Sequence, residues 1–133
     1  MLSWEQILQS GVDWAQPDGF WHAAAGIAWR QYVCTDYVGS IKRVGLEAAS
    51  GERLAQRYEM LLDKIATQTG GGKFEITLPG PAVEFQTGSD RNPIRRVELE
   101  ARNPSAVFSA ARARGLIRGG NGIVICGTEF RLT

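Results

Sequence analysis

The sequence predicts an α+β domain made of two tandem β-α-β-β(-β) modules, preceded by an aromatic-rich N-terminal extension. Three observations predict it. Ile41-Lys42-Arg43-Val44-Gly45-Leu46-Glu47-Ala48 returns 53 residues later as Ile94-Arg95-Arg96-Val97-Glu98-Leu99-Glu100-Ala101, with six of eight positions identical. Each copy is followed by a capping residue and an amphipathic stretch. Each then runs into short alternating segments separated by turn residues. Identity reinforced by matching caps, helices and hairpins marks a repeat.

Residues 1–40 form the extension. Ser3 and Gln6 make a capping box for a short helix that Gly11 would stop, and Gln16-Pro17-Asp18-Gly19 reads as a turn. Residues 27–34 suit a strand, with Trp29 and Val33 on one face. All four tryptophans (Trp4, Trp14, Trp21, Trp29) fall in this extension, beside Phe20, Tyr32 and Tyr37. Such a segment must be buried, either within the chain or at a homodimer contact, and Trp21 and Trp29 are the expected anchors. The same rings would also suit an aromatic ligand.

The repeat domain spans 41–133, divided into 41–93 and 94–133. Strand 41–48 is followed by Ser50, a good N-cap, and by Leu54, Tyr58, Leu61, Leu62 and Ile65 at helical spacing. Thr69-Gly70-Gly71-Gly72 reads as a flexible helix-to-strand loop. Phe74, Ile76 and Leu78 then alternate with Lys73, Glu75 and Thr77; Pro79-Gly80-Pro81 turns; and Val83 and Phe85 alternate with Glu84 and Gln86. In the second copy Asn103 caps, Pro104 takes the first helical position, and Val107, Phe108 and Ala111 make the weaker stripe, which Gly115 ends. Gly119-Gly120-Asn121-Gly122 opens a strand 123–126, Gly127-Thr128 turns, and 129–133 closes the chain. Three strands are recognisable in each copy, so 27–34 is a candidate for a missing strand or an exchanged element.

Composition narrows the function. A chain of 133 residues holds one ordinary domain, and 44% hydrophobic with 22% charged residues excludes wholesale disorder. Fifteen basic against fourteen acidic residues, a net charge of +1, argue against nucleic acid held by a general electrostatic surplus. With no membrane-length apolar run and no signal-like N-terminus, the expected address is cytoplasmic. Cys34 and Cys126 read as buried core thiols. His22 is the single histidine, which excludes sites that need two, and between Trp21 and three alanines it reads as packing.

Strand alternation sorts the repeat residues. Val44, Leu46 and Ala48, with Val97, Leu99 and Ala101, should meet the helices. Arg43, Gly45 and Glu47, with Arg96, Glu98 and Glu100, take the other face, joined by Glu75 and Glu84. Arginine forks on that face match a carboxylate or phosphate in bidentate fashion. Acids outnumber the arginines there, so a cross-strand ladder of opposite charges is the expected resting state.

The strand pattern I-x-x-V-x-L, in IKRVGLEAASGERLAQRYEMLL and IRRVELEARNPSAVFSAARARGL, and the ending GIVICGTEFRLT resemble the vicinal oxygen chelate superfamily of glyoxalases and bleomycin-resistance proteins. The resemblance covers residues 41–133. It implies two modules side by side whose curled mixed sheet forms a concave cleft, where a divalent metal and substrate usually bind. Metal-binding members usually carry histidine in the context L-D-H-V, and this chain departs from them with Arg43 and Arg96 at that position. Arginine offers no lone pair, so no catalytic metal or other cofactor is expected. If a metal does bind, Glu84, Glu129 and His22 are the remaining donors.

The reading is therefore a glyoxalase-like small-molecule-binding protein without a catalytic metal. Its cleft residues Arg43, Arg96, Glu75, Glu84, Glu98 and Trp29 would bind a small anionic or aromatic ligand. The alternatives are a non-catalytic structural or dimerisation module, and a metal-dependent lyase or dioxygenase of the same superfamily. A ferredoxin-like β-α-β-β-α-β sandwich is the alternative fold. The expected partners are a small ligand and a second copy of the chain, with no nucleic acid and no membrane.

Overall fold

A computed structural model of the chain describes Gln31 and residues 34–89, 94–119 and 122–133. The chain divides into two compact units, Met1–Cys34 and Thr35–Thr133, and the fold below is that of the second. The expected helix after Ser3, the turn at 16–19, the strand over 27–34 apart from Gln31 and Cys34, and the placement of Trp21, His22 and Trp29 lie outside the described residues.

The unit Thr35–Thr133 runs through ten elements. They are β1 (Val38–Ala48), α1 (Gly51–Leu62), β2 (Thr67–Gln68), β3 (Phe74–Thr77) and β4 (Ala82–Thr87), then β5 (Ile94–Ala101), α2 (Pro104–Ala113), β6 (Ile117–Arg118), β7 (Gly122–Ile125) and β8 (Thr128–Leu132). The order β-α-β-β-β thus occurs twice. All eight strands join one sheet in the order β2-β3-β4-β1-β5-β8-β7-β6. The second half of that order mirrors the first about the antiparallel β1–β5 pair. β1 lies parallel to β4, and β5 parallel to β8, connections that require the long crossover each helix supplies. The result is a curled mixed sheet with two helices, and the ferredoxin-like alternative, with its two strands per helix, does not describe it.

Local chemistry explains the elements. Ser50, in extended conformation, accepts from the Arg53 amide at 3.3 Å and starts α1. Asn103 accepts from the Ala106 amide at 3.1 Å and starts α2, with Pro104 in its first turn. α1 stops at Leu62 because Asp63 turns left-handed (φ 50°), so Ile65, expected in the buried stripe, is exposed; Leu61, in the last turn of α1, is exposed as well. The core sits between α1 and its half of the sheet: Leu46, Ala55, Ile76 and Phe85 are buried, flanked by Val44, Leu54, Tyr58, Leu62 and Val83. Burying Ile76 and Phe85 completely stabilises the fold by about 1.5–3 kcal/mol each. Gly51 lets the α1 N-terminus press onto β4, where its amide donates to Thr87 Oγ1 at 3.1 Å.

Three expectations need correction. Each module has a fourth strand of its own, β2 and β6, only two residues long. The glycine run 70–72 is the turn between β2 and β3, closed by the Thr69 amide donating to the Lys73 carbonyl, with all three glycines at positive φ. Cys34 and Cys126 are exposed, Cys126 because it occupies the left-handed position (φ 50°) of the β7–β8 turn. In addition, β1 starts at Val38, three residues before the repeated segment.

Candidate functional site: a charged concave face

Leu46 and Phe85 join the helix residue Ala55 in one core cluster, so the alternate residues of the same strands face away from α1. On that face β1 contributes Arg43, Gly45 and Glu47; β3 contributes Glu75; β4 contributes Glu84 and Gln86; and β5 contributes Arg96 and Glu98. The structure brings the expected site residues into one chain of alternating charge. Glu75 meets Arg43 Nη2 at 3.0 Å, and Arg43 Nη1 meets Glu98 at 3.2 Å. Glu98 approaches Arg96 at 3.8 Å, and Arg96 Nη2 meets Glu84 at 3.3 Å. Lys73 closes the chain on Glu84 at 3.1 Å.

The long reach of Arg96 depends on Gly45. Gly45 stands in register with Arg96 on one side and with Glu84 on the other. Having no side chain, it lets Arg96 cross β1 from β5 to reach β4. Glu84 is the buried charge of the face, only 9% exposed, and both its basic partners converge on one oxygen. Such a carboxylate needs its partners, because an uncompensated buried charge is strongly unfavourable. Arg43 Nε is buried and donates to no group among the described residues, while its two terminal nitrogens are both engaged.

Two irregularities flank this centre. Gly45 pairs with Arg96 and Leu46 with Ile94, so Arg95 is an extra residue opposite nothing in β1; it contacts Glu47 at 3.6 Å. Glu47 also accepts a hydrogen bond from Gln86 Nε2. At the other end Lys42 is the extra residue and meets Glu100 at 2.9 Å, with Ser40 Oγ donating to the same oxygen at 2.7 Å. The Lys42 hydrogen bond, then that of Ser40, holds the Glu100 carboxyl below the usual carboxylate range.

Lys73, Gln86 and Arg95 belong to this network although they were not singled out as site residues. The alternation of β3 and β4 already puts Lys73 beside Glu75 and Gln86 beside Glu84. Arg95 had no such signal, since a β-bulge leaves no mark in a regular alternating pattern.

The residues do not fit a divalent metal. The third position of the repeated strand segment carries Arg43 in one half and Arg96 in the other, cations without lone pairs. Glu84 is occupied by Lys73 and Arg96, and Glu129 by Arg131 Nε at 3.0 Å. Among the described residues no three His, Cys, Asp or Glu side chains cluster as metal donors. Trp29 and His22 lie outside the described residues.

Fold and face together define a paired β-α-β-β-β domain whose curled sheet carries an ion-paired face opposite α1. No family model matches the chain, and no curated protein matches it. Among solved structures it is similar to methylmalonyl-CoA epimerase from Mycobacterium tuberculosis, a vicinal oxygen chelate protein. The two share 15% sequence identity with a TM-score of 0.53, over 78% of this chain and 93% of that one. At that identity the likeness is one of fold. No described helix is long and apolar enough to cross a membrane.

Proposed function

We propose that this is a small-molecule-binding protein of the vicinal oxygen chelate type whose concave face works without a divalent metal and takes a small anionic ligand. The observation that supports the reading is the pair of arginines, Arg43 and Arg96, at the centre of the ion-paired face, where the resemblance leads one to expect metal-ligand histidine. Arg43 is the anchor: its side chain is 37% exposed, against 18% for Arg96, so an incoming carboxylate or phosphate reaches it first. The ligand would displace Glu75 or Glu98 from the guanidinium and take over its bidentate geometry. Arg96, held behind Gly45, keeps Glu84 neutralised while this exchange occurs.

A second reading has its own observation. Both arginines are already paired, so the chain of charges would suffice as a structural element in a non-catalytic module. Calorimetric titration of the protein with a panel of small dicarboxylates and with inorganic phosphate separates the two. Saturable binding that Arg43→Gln abolishes, with an unchanged melting temperature, supports the ligand site. No binding by any of them, with a melting temperature lowered by the same substitution, supports the structural role.

A further inference from the structure

The two halves of the sheet carry the same elements but fill the space under their helices differently. Under α1, Tyr58 and Phe85 stack with ring centroids 5.1 Å apart, and Phe85 is fully buried. Counted from the matching caps Ser50 and Asn103, the α2 residue equivalent to Tyr58 is Ala111. Counted from strand register, Leu132 pairs with Leu99 as Phe85 pairs with Leu46, so Leu132 replaces the second ring. Neither aromatic side chain has a counterpart at these positions. Between α2 and the sheet there is instead an open apolar groove of about 330 Å³, walled by Val107, Ala110, Ala111, Phe130 and Leu132 among others. Ligand pockets span roughly 300–1,000 Å³, so the groove has room for a modest ligand.

Charge is the second observation. Between Glu100 and Glu129 the chain has Arg102, Arg112, Arg114 and Arg118 but no aspartate or glutamate. Arg112, Arg114 and Arg118 form no ion pair among the described residues. Arg114 lines the groove itself; its Nη1 donates to the Ala110 carbonyl at 3.1 Å, and the rest of its fork has no carboxylate partner there. An arginine at the rim of an apolar groove, with no carboxylate partner among the described residues, attracts an anion.

We propose that the groove under α2 is a second binding site, on the helix side of the sheet, for a medium-chain monocarboxylate. The apolar tail lies against Ala110, Ala111 and Phe130, in the space that Tyr58 and Phe85 fill in the first half. The carboxylate meets Arg114 at the rim. This site is independent of the concave face, and it reads both features of the ligand: a tail without a charge binds more weakly because it lacks the rim contact, and a cationic head is repelled.

The test is calorimetric titration of the full chain with decanoate below its micellar concentration, in parallel with decanol and decyltrimethylammonium. The expected result is saturable one-to-one binding of decanoate, weaker binding of decanol and none of the ammonium compound. Arg114→Gln should weaken decanoate by about two- to fivefold, the value of an exposed ion pair, and leave decanol unchanged. Ala110→Trp lays a ring into the groove from an exposed helix position and should abolish binding of both. If Ala110→Trp lowers the melting temperature, Arg114→Gln and the three-ligand comparison still decide. Equal binding of all three amphiphiles, no saturable binding, or decanoate binding that is lost in Arg43→Gln and kept in Arg114→Gln would overturn the proposal.

Discussion

Arg96→Met removes the side chain that crosses Gly45 to reach Glu84, and its cost can be worked from the structure. The Arg96 and Glu84 side chains are 18% and 12% exposed, so their contact is shielded from water. A hydrogen bond to a charged group contributes about 1.5–3 kcal/mol, and breaking a fully buried pair costs about 3–5 kcal/mol. Glu84 keeps Lys73 after the change and Glu98 keeps Arg43, which places the loss near the lower figures, at about 2 kcal/mol. With a urea dependence of about 1–3 kcal/mol per molar, the unfolding midpoint should fall by roughly 1 M. Glu84→Met should cost a similar amount. The double variant should be no worse than either single one, because two apolar side chains replace the buried charge pair, and the Lys73 ammonium, about a third exposed, turns to water. The coupling is then at least about 2 kcal/mol. Urea unfolding followed by far-ultraviolet circular dichroism measures all four proteins. Single-variant losses below about 0.5 kcal/mol that simply add would refute the charge chain as an energetic unit.

Other positions offer equally direct tests. A Cβ at Gly51 would sit 2.5 Å from the Gln86 carbonyl carbon and 2.7 Å from the Thr87 nitrogen, both backbone atoms. Gly51→Ala should therefore destabilise by about 1–3 kcal/mol in the same urea assay, despite the better helix propensity of alanine. Burial raises the Tyr58 phenol above its ordinary value. Its contribution is intact below about pH 10, where the unfolded phenol is still neutral, and is lost as pH rises through the native value. Tyr58→Phe should flatten this alkaline fall in stability. Glu100 has the opposite sign: its lowered carboxyl contributes stability above about pH 4 that disappears as pH falls through the native value. Lys42→Met should flatten that acid limb by lowering stability slightly above about pH 4, while leaving it unchanged below the native value.

Much of the fold was legible because its signals are local and strong. The repeated octapeptide located β1 and β5, Ser50 and Asn103 marked both helix starts, and alternation sorted Arg43, Glu75, Glu84, Arg96 and Glu98 onto one face. The failures have physical causes. Two residues cannot show a period, so Thr67–Gln68 and Ile117–Arg118 went unseen as strands. The helical spacing that included Ile65 ran past the helix stop at Asp63, a left-handed residue that is not glycine. Cys126 seemed apolar enough for the core, yet the two-residue turn it forms with Gly127 leaves it at the tip of a hairpin. The pairing of Arg95 with Glu47 depends on a bulge set by the partner strand, and so on tertiary structure alone. The missed contacts are those fixed by register and not by pattern.

Arginines and their glutamates pair across this face in a form that offers a divalent cation no free set of donors. Equilibrium dialysis of the purified protein against micromolar zinc, nickel and manganese, followed by elemental analysis, tests it most directly. The account predicts well under one equivalent of each metal, and the same result for Glu84→Gln. One full equivalent of a transition metal, retained through further dialysis and lost in Glu84→Gln or Glu129→Gln, would contradict it.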